Sequence, residues 1–326
     1  MTETDLVTLD DVFAAREVVA GRIHRTPLLR STSLGERHGV ELWFKVEAFQ
    51  KTGSFKVRGV LNRLAGLTDQ ERARGVVTLS AGNHAQALAW AAAREGIPAT
   101  VVMPAGADRG KVEATRGYGG EVILTEAGLL DTTLQVRDER DLVLVHPFDD
   151  PAIIAGQGTV GLEIVEEMPG VDAVFVGVGG GGLISGVATA VEARRPEARV
   201  IGVEPEGAAA MSRSLEAGEP VTLDALDTVA DGLAAPFAGE ITFAHVKERV
   251  ERVLRVPDRA IVAAMREILE RVKVVAEPAA AAGLAGLASG AVDLTEGSTV
   301  VCVISGGNVG ADRLAELLGS TGPRSR

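Results

Sequence analysis

The chain has 326 residues, a net charge of −12 and no long basic run, which argues against a nucleic-acid partner. No apolar run is long enough to span a bilayer, and the first eleven residues are acidic and polar rather than a signal pattern. The lone cysteine, Cys302, excludes an internal disulfide and fits a reducing, cytoplasmic setting, and so few aromatics (3%) suit an α/β chain of tightly packed helices on parallel sheets.

In chain order, Thr8–Ile23 reads as an amphipathic helix with Val12, Ala15, Val19 and Ile23 on one face. Pro27 makes Arg25–Leu29 extended, and Ser31–Gly39 reads as a short helix closed by glycine. A buried strand, Glu41–Val46, leads into a turn and a helix, Phe55–Leu64. Strands predicted at Val76–Leu79, Ala99–Met103, Glu121–Leu124 and Leu142–Val145 alternate with helices at Asn83–Glu95, Asp108–Gly117 and Gly128–Arg140. That alternation implies right-handed crossovers and a parallel sheet, here a small lobe over residues 73–146. Asp150 as N-cap and Pro151 at the first helical position start a helix over Pro151–Glu167, which favours a structural over a catalytic role for Asp149 and Asp150. Strands at Ala173–Val178 and Arg199–Val203 follow, then an unassigned stretch over residues 205–257. Helices over Pro257–Arg271 and Pro278–Ala288, a strand over Ser298–Ile304, a terminal helix and a frayed tail over Gly319–Arg326 complete the chain. Residues 1–72 and 147–326 would form the larger lobe.

Four turns after strand ends carry chemistry. The first is Lys51–Gly59, where Ser54 reads as an N-cap and Lys56 falls in the first helical turn. Positive charge is disfavoured there, so a shielded amine would lean toward its neutral, nucleophilic form; the plainer reading is a surface lysine after a cap. The second is Ser80–His84, whose backbone N–H groups suit a carboxylate and whose Asn83 amide suits a phenolate-type oxygen; a routine helix cap has the same pattern. The third is Gly179–Gly182 and Leu183 after a buried strand, a sequence in which the backbone comes close to a phosphate at a helix start. Gly177, Gly179 and Gly182 also match a dinucleotide fingerprint with Glu204 as its ribose acid, so an NAD-dependent dehydrogenase competes. The fourth is Ser305–Asn308, with a hydroxyl for a ring nitrogen, or simply a turn before a helix. His24, His38, His146 and His245 stand singly, and no metal site is expected among them. An amine, a phosphate cradle, an amide and a hydroxyl together fit one cofactor, pyridoxal 5'-phosphate, which takes a lysine as a Schiff base.

With Arg25–Pro27, Ser54–Gly59, Ser80–Gln86, Gly179–Gly182 and Ser305–Asn308 assembled, the chain resembles the fold type II pyridoxal phosphate enzymes over nearly its whole length. The group it resembles most is the threonine/serine dehydratases, which includes serine racemase. The resemblance implies two open, mostly parallel twisted sheets with the cofactor in the cleft between lobes, and a homodimer. It implies that Lys56 carries the cofactor and that Phe55 packs by its ring. Asn83 would bond the ring hydroxyl, Gly179, Gly180, Gly181, Gly182 and Leu183 would hold the phosphate, and Ser305 would face the pyridine nitrogen. Ser80, Ala81, Asn83 and His84 would receive the carboxylate of a small β-hydroxy amino acid. The implied reaction is loss of water from L-threonine or L-serine, giving 2-oxobutanoate or pyruvate and ammonia, with Lys56 as the base for the α-proton.

Departures from the group narrow this. Val57 replaces the acid of threonine synthases. Ala81 stands where racemases carry a serine base, so efficient racemisation is not expected. Racemase-like members bind a divalent ion near Glu204; Glu204 and the Ala208 carbonyl remain here, but Ala210 replaces the second acid. The chain ends soon after Asn308, so the regulatory domain of feedback-controlled members is expected to be missing. Glu277 reads equally as a supporting group and as a surface acid at a helix start. The competing activities are a dehydratase of 3-hydroxyaspartate or phenylserine, serine racemase, the dehydrogenase, and a non-catalytic binding protein.

Overall fold

A computed structural model describes residues 6–319, so the expected tail beyond them lies outside the described residues. Helix α1 (Leu9–Val19) opens on a Thr8–Asp11 capping box and buries Val12, Ala15 and Val19. It stops short of Ile23, where Gly21 turns left-handed. There follow β1 (Leu28–Arg30), α2 (Thr32–His38), β2 (Glu41–Val46) and α3 (Lys56–Ala65). A short helix, α4 (Asp69–Arg74), was not anticipated; its mostly polar sequence carries no apolar periodicity, and a Thr68–Glu71 capping box holds it. The alternating region is β3 (Val76–Leu79), α5 (Asn83–Glu95), β4 (Ala99–Pro104), α6 (Arg109–Gly117), β5 (Glu121–Thr125), α7 (Leu129–Arg140) and β6 (Val143–Leu144).

Next come α8 (Pro151–Glu167), β7 (Ala173–Gly177), α9 (Gly182–Arg194) and β8 (Arg199–Pro205). The unassigned stretch holds α10 (Ala210–Ala217), α11 (Glu240–Arg249) and an edge strand, β9 (Arg252–Val256). It escaped sequence reading because β9, Arg-Val-Leu-Arg-Val at a half-exposed edge, has neither a continuous apolar run nor a strict alternation. Then follow α12 (Asp258–Glu267), with a π turn over Ile268–Val272, α13 (Pro278–Ala288), β10 (Thr299–Ile304) and α14 (Ala311–Gly319).

The strands form two sheets. One is six-stranded, in the order β1-β2-β10-β7-β8-β9, and only the β1–β2 pair is antiparallel. The other is four-stranded and parallel, in the order β5-β4-β3-β6. Because β2, β10 and β7 are neighbours about 4.8 Å apart, their carboxyl ends bring the lysine turn, the Ser305 turn and the glycine turn side by side. The Ser80 loop arrives from β3 of the other sheet.

Helices α3, α8 and α9 pack so closely that a Cβ on Gly156 would lie 2.5 Å from the Gly59 Cα. Into this packing is built a group of charges that are fully buried except for the slightly exposed Glu163. Arg58, two residues past Lys56, bonds both Glu47 oxygens at 2.8 Å and Glu163 at 2.7 and 3.0 Å. Lys45 reaches Glu163 at 2.7 Å and the Thr26 carbonyl at 2.6 Å. The group ties the end of β2 to α3 and α8, on either side of the lysine turn. Replacing Arg58 alone leaves Glu47 buried without its cation and Glu163 with Lys45 only. Arg58→Met is expected to lower unfolding stability by about 3–5 kcal/mol in a denaturant titration; a loss under about 1 kcal/mol would contradict the brace.

Candidate active site

The lysine turn is joined to the Ser305 turn through the backbone. Phe55 N–H donates to the Ser305 carbonyl at 3.1 Å, Gly307 N–H donates to the Gly53 carbonyl at 2.9 Å, and Ser54 pairs with Gly306 between them. This overrides the expected cap. Ser54 is extended, the N-cap of α3 is Phe55 without a side-chain bond, and the buried Ser54 hydroxyl has no partner. Lys56 is therefore the first helical residue. Its amine donates to the Pro147 carbonyl at 2.8 Å and sits 5.1 Å from the Phe55 ring centre. The residue is half-buried, and protein encloses the amine closely. Burial pushes its pKa down to about 8, with the Glu277 carboxylate working against the shift.

In the Ser80 loop, the Ser80 hydroxyl accepts the Gly82 N–H at 3.1 Å. The first bond of α5 runs from Gln86 N–H to the Gly82 carbonyl, so the N–H groups of Asn83, His84 and Ala85 have no helical partner. Asn83 is held at both ends of its amide: Nδ2 donates to Glu277 at 2.7 Å, and Oδ1 accepts from Asn308 Nδ2 at 2.7 Å. The Asn308 amide also reaches the Thr52 carbonyl at 2.7 Å. The surface reading of Glu277 is thus wrong. The residue is buried, and burial pushes its pKa up to about 7 although the Asn83 bond opposes it. Its sequence position before Pro278 gave no sign of this, because the burial comes from a distant segment.

His84 is buried with Nδ1 unbonded and Nε2 3.3 Å from the Val145 carbonyl; burial, then nearby Lys56, hold the ring well below its ordinary pKa and so neutral. His146 does not stand apart, as its sequence position suggested. It neighbours His84 and Lys56, burial lowers its pKa, and its Nδ1 accepts the Asp149 N–H at 2.8 Å.

In the glycine turn, the first bond of α9 runs from Ser185 N–H to the Gly181 carbonyl, which leaves the N–H groups from Gly179 through Leu183 without a helical acceptor. A Cβ at Gly180 would come within 2.4 Å of the Phe148 ring, so only glycine fits beneath that side chain. The turn is fastened to α11, which sequence reasoning missed: Thr242 Oγ1 donates to the Gly180 carbonyl at 2.7 Å. Asp149 caps α11 by accepting from Glu240, Ile241 and Thr242 N–H at 3.0–3.1 Å, and Asp150 caps α8. Both aspartates are structural, as expected. Ala81 rests on a small apolar cluster with Ala85 and Val101, and Ser305 is buried at the end of β10.

Glu204 is buried and engaged by the start of a helix. Oε1 accepts the Met211 N–H at 2.8 Å, and Oε2 accepts the Ser212 N–H at 2.9 Å and the Ser212 hydroxyl. The carboxylate caps α10, next to the short turn that contains Ala208. Among the described residues no cluster of three His, Cys, Asp or Glu side chains forms.

An amine on one turn, a row of free N–H groups on the next and an amide fixed at both ends suit an aldehyde-bearing, phosphorylated aromatic ring. Three buried polar atoms left without partners, Ser54 Oγ, Thr52 Oγ1 and His84 Nδ1, fall in the lysine turn and the Ser80 loop, as a site built to receive a polar group requires. The residues present fit pyridoxal phosphate.

Comparison with known proteins agrees. A family model described as pyridoxal-phosphate dependent enzyme matches residues 19–306. The chain is 44% identical over 317 residues to L-threonine ammonia-lyase of Thermotoga maritima, covering 96% of this chain and 78% of that protein. It is 42% identical over 318 residues to serine racemase of Oryza sativa subsp. japonica, covering 94% of each. The structure of maize serine racemase superposes with a TM-score of 0.92 at 41% identity, covering 96% of this chain and 97% of that one.

Since burial lowers the Lys56 pKa to about 8, the neutral amine appears at lower pH than an ordinary lysine allows. In cofactor-free protein, the rate of Lys56 labelling by an amine-directed reagent should rise with a midpoint near pH 8. A midpoint at the ordinary lysine value would contradict the burial.

Proposed function

The chain belongs to the pyridoxal-phosphate dependent enzymes, and on that footing we propose that it removes water from L-threonine and L-serine, releasing 2-oxobutanoate or pyruvate and ammonia. The observation that carries the proposal is the shielded Lys56 amine, set where the four turns meet. The cofactor is pyridoxal phosphate; when bound, it supplies an aldehyde that takes up an amino group and a conjugated ring that draws negative charge off the α-carbon.

Lys56 would hold the cofactor, and Phe55 beside it would pack against the ring. The N–H groups from Gly179 to Leu183 would hold the phosphate. Asn83 has one amide hydrogen engaged by Glu277 and its oxygen engaged by Asn308, so its second hydrogen is the group left for the ring hydroxyl. Ser305 would face the pyridine nitrogen with a neutral hydroxyl. Ser80, Ala81, Asn83 and His84 would take the substrate carboxylate, chiefly through the N–H groups of Asn83 and His84. Once free, Lys56 takes the α-proton at Nζ, a transfer its lowered pKa favours near neutral pH. Ala81 offers no group that moves a proton, which supports elimination over racemisation.

We infer two lobes, residues 73–146 around the four-stranded sheet and residues 1–72 with 147–326 around the six-stranded one, and a cytoplasmic homodimer. The unpaired, buried Cys302 supports a reducing compartment, and two-fold dimers are the commonest assembly of soluble enzymes. No helix among the described residues is long and apolar enough to cross a membrane.

Purified protein should release 2-oxobutanoate from L-threonine. Lys56→Ala should lose that activity and the cofactor's visible absorbance together; activity without the absorbance would sink the assignment. Wild-type protein should convert L-serine to pyruvate faster than to D-serine, and Ala81→Ser should raise D-serine formation. An unchanged D-serine rate would show that Ala81 is not at the far face of the substrate.

A further inference from the structure

Glu277 is buried beside the Ser305 turn, and no step of the proposed reaction uses it. Its N–H donates to the Gly306 carbonyl at 3.1 Å. Its carboxyl has little room: a Cβ on Gly306 would come within 2.6 Å of Oε1, and one on Gly232 would lie 3.7 Å from it. Held in this way, Oε1 accepts the Asn83 Nδ2 hydrogen bond at 2.7 Å.

An asparagine amide keeps nearly the same shape after a half-turn that exchanges its oxygen and nitrogen. Hydrogen-bond partners, not packing, therefore decide which end faces the ring. Asn308 is one such partner. Its Nδ2 places one hydrogen on the Thr52 carbonyl and the other on Asn83 Oδ1, so it shows Asn83 a donor. Glu277 is the other. An ionised carboxyl only accepts, so it holds Nδ2 and repels Oδ1. A protonated carboxyl also carries a donor, accommodates either end, and leaves Asn308 as the sole constraint.

Both forms of Glu277 are within reach of neutral pH. Burial pushes its pKa up to about 7; the Asn83 bond, Lys111 and the Asn308 N–H oppose the rise, and Asp231 adds to it. The charged groups that face it are Lys56 on α3, Lys111 on α6 and Asp231 in the turn Asp231–Leu233; Lys111 and Asp231 pair at 3.2 Å.

We propose that Glu277 is a positioning residue: ionised, it fixes the Asn83 nitrogen toward the cofactor's ring hydroxyl, and protonated, it loosens that hold. Asn83 then donates to the ring oxygen best on the alkaline side of the Glu277 titration. Donation there favours the ionised ring oxygen and the visible absorbance that goes with it. The inference rests on Asn83 as the partner of the ring hydroxyl and needs no substrate.

Absorbance of the cofactor-loaded protein, followed through pH 7, is the test. In wild type the visible band should weaken relative to the near-ultraviolet band as pH falls, with a midpoint near 7. In Glu277→Gln, which keeps the shape but does not titrate, that transition should vanish. The cofactor's dissociation constant above the midpoint should rise about threefold or more, a part of what one hydrogen bond contributes. Asn83→Ala should also lack the transition, and adding Glu277→Gln to it should change neither band nor affinity further. A wild-type band that stays constant across pH 7, a Glu277→Gln protein that keeps the transition, or additive effects in the double variant would overturn the positioning role. An Asn83→Ala protein with wild-type band and affinity would remove Asn83 from the ring hydroxyl, and the proposal with it. Should the transition and its loss be found while L-threonine yields no 2-oxo acid, the positioning role stands and the dehydratase reading goes.

Discussion

The site depends on the backbone seam between the lysine turn and the Ser305 turn. Phe55 to Ser305 and Gly307 to Gly53 are ordinary amide bonds, but they fasten the end of β10 to the start of α3. Parallel pairing of β2 with β10 brings the two turns into reach, and the seam fixes them in register. Asn308 then extends the connection from Thr52 to Asn83, and Asn83 extends it to Glu277. The Lys56 turn, the Asn83 amide and the Ser305 turn are thereby held by one continuous set of hydrogen bonds linking the two sheets. Such fixed donors need no rearrangement when a charged ligand arrives.

Charge is distributed in two tiers. Behind the lysine turn, the buried Arg58, Lys45 and Glu47 meet the mostly buried Glu163, and each charge is matched. Pairs of this kind add little net stability compared with apolar packing, but they penalise any arrangement that separates them. In front of the turn, charge is deliberately unmatched. Burial favours a neutral amine at Lys56 and a neutral carboxyl at Glu277, and it keeps His84 neutral. The first tier fixes position and the second sets protonation. Groups that must exchange protons with a substrate are useful when their pKa lies near the working pH.

The glycine turn shows how one surface serves two neighbours. Its N–H groups have no helical acceptor, while its lack of side chains lets Phe148 lie directly on it. Thr242 and Asp149 hold the same turn from behind through α11. Phe148, the glycine turn and α11 are therefore one packing unit.

The sequence determined by itself what depends on neighbouring residues. Alternation of apolar runs with capped helices set the parallel sheets, and Asp150 with Pro151 set the start of α8 to the residue. Four short motifs after strand ends named Lys56, Asn83, the glycine turn and Ser305, because such turns carry their chemistry in their own residue types. What only the tertiary structure decided involves partners far apart in the chain. Ser54 is a credible cap by local rules, but pairing with Gly306, 252 positions on, draws it out of the helix. Glu277 became a buried partner of Asn83, Glu204 became the cap of α10, and His146 came to pack edge-on against Phe148 near Lys56. Burial and pKa are properties of the assembled surroundings, and no local pattern encodes which distant segment will supply them.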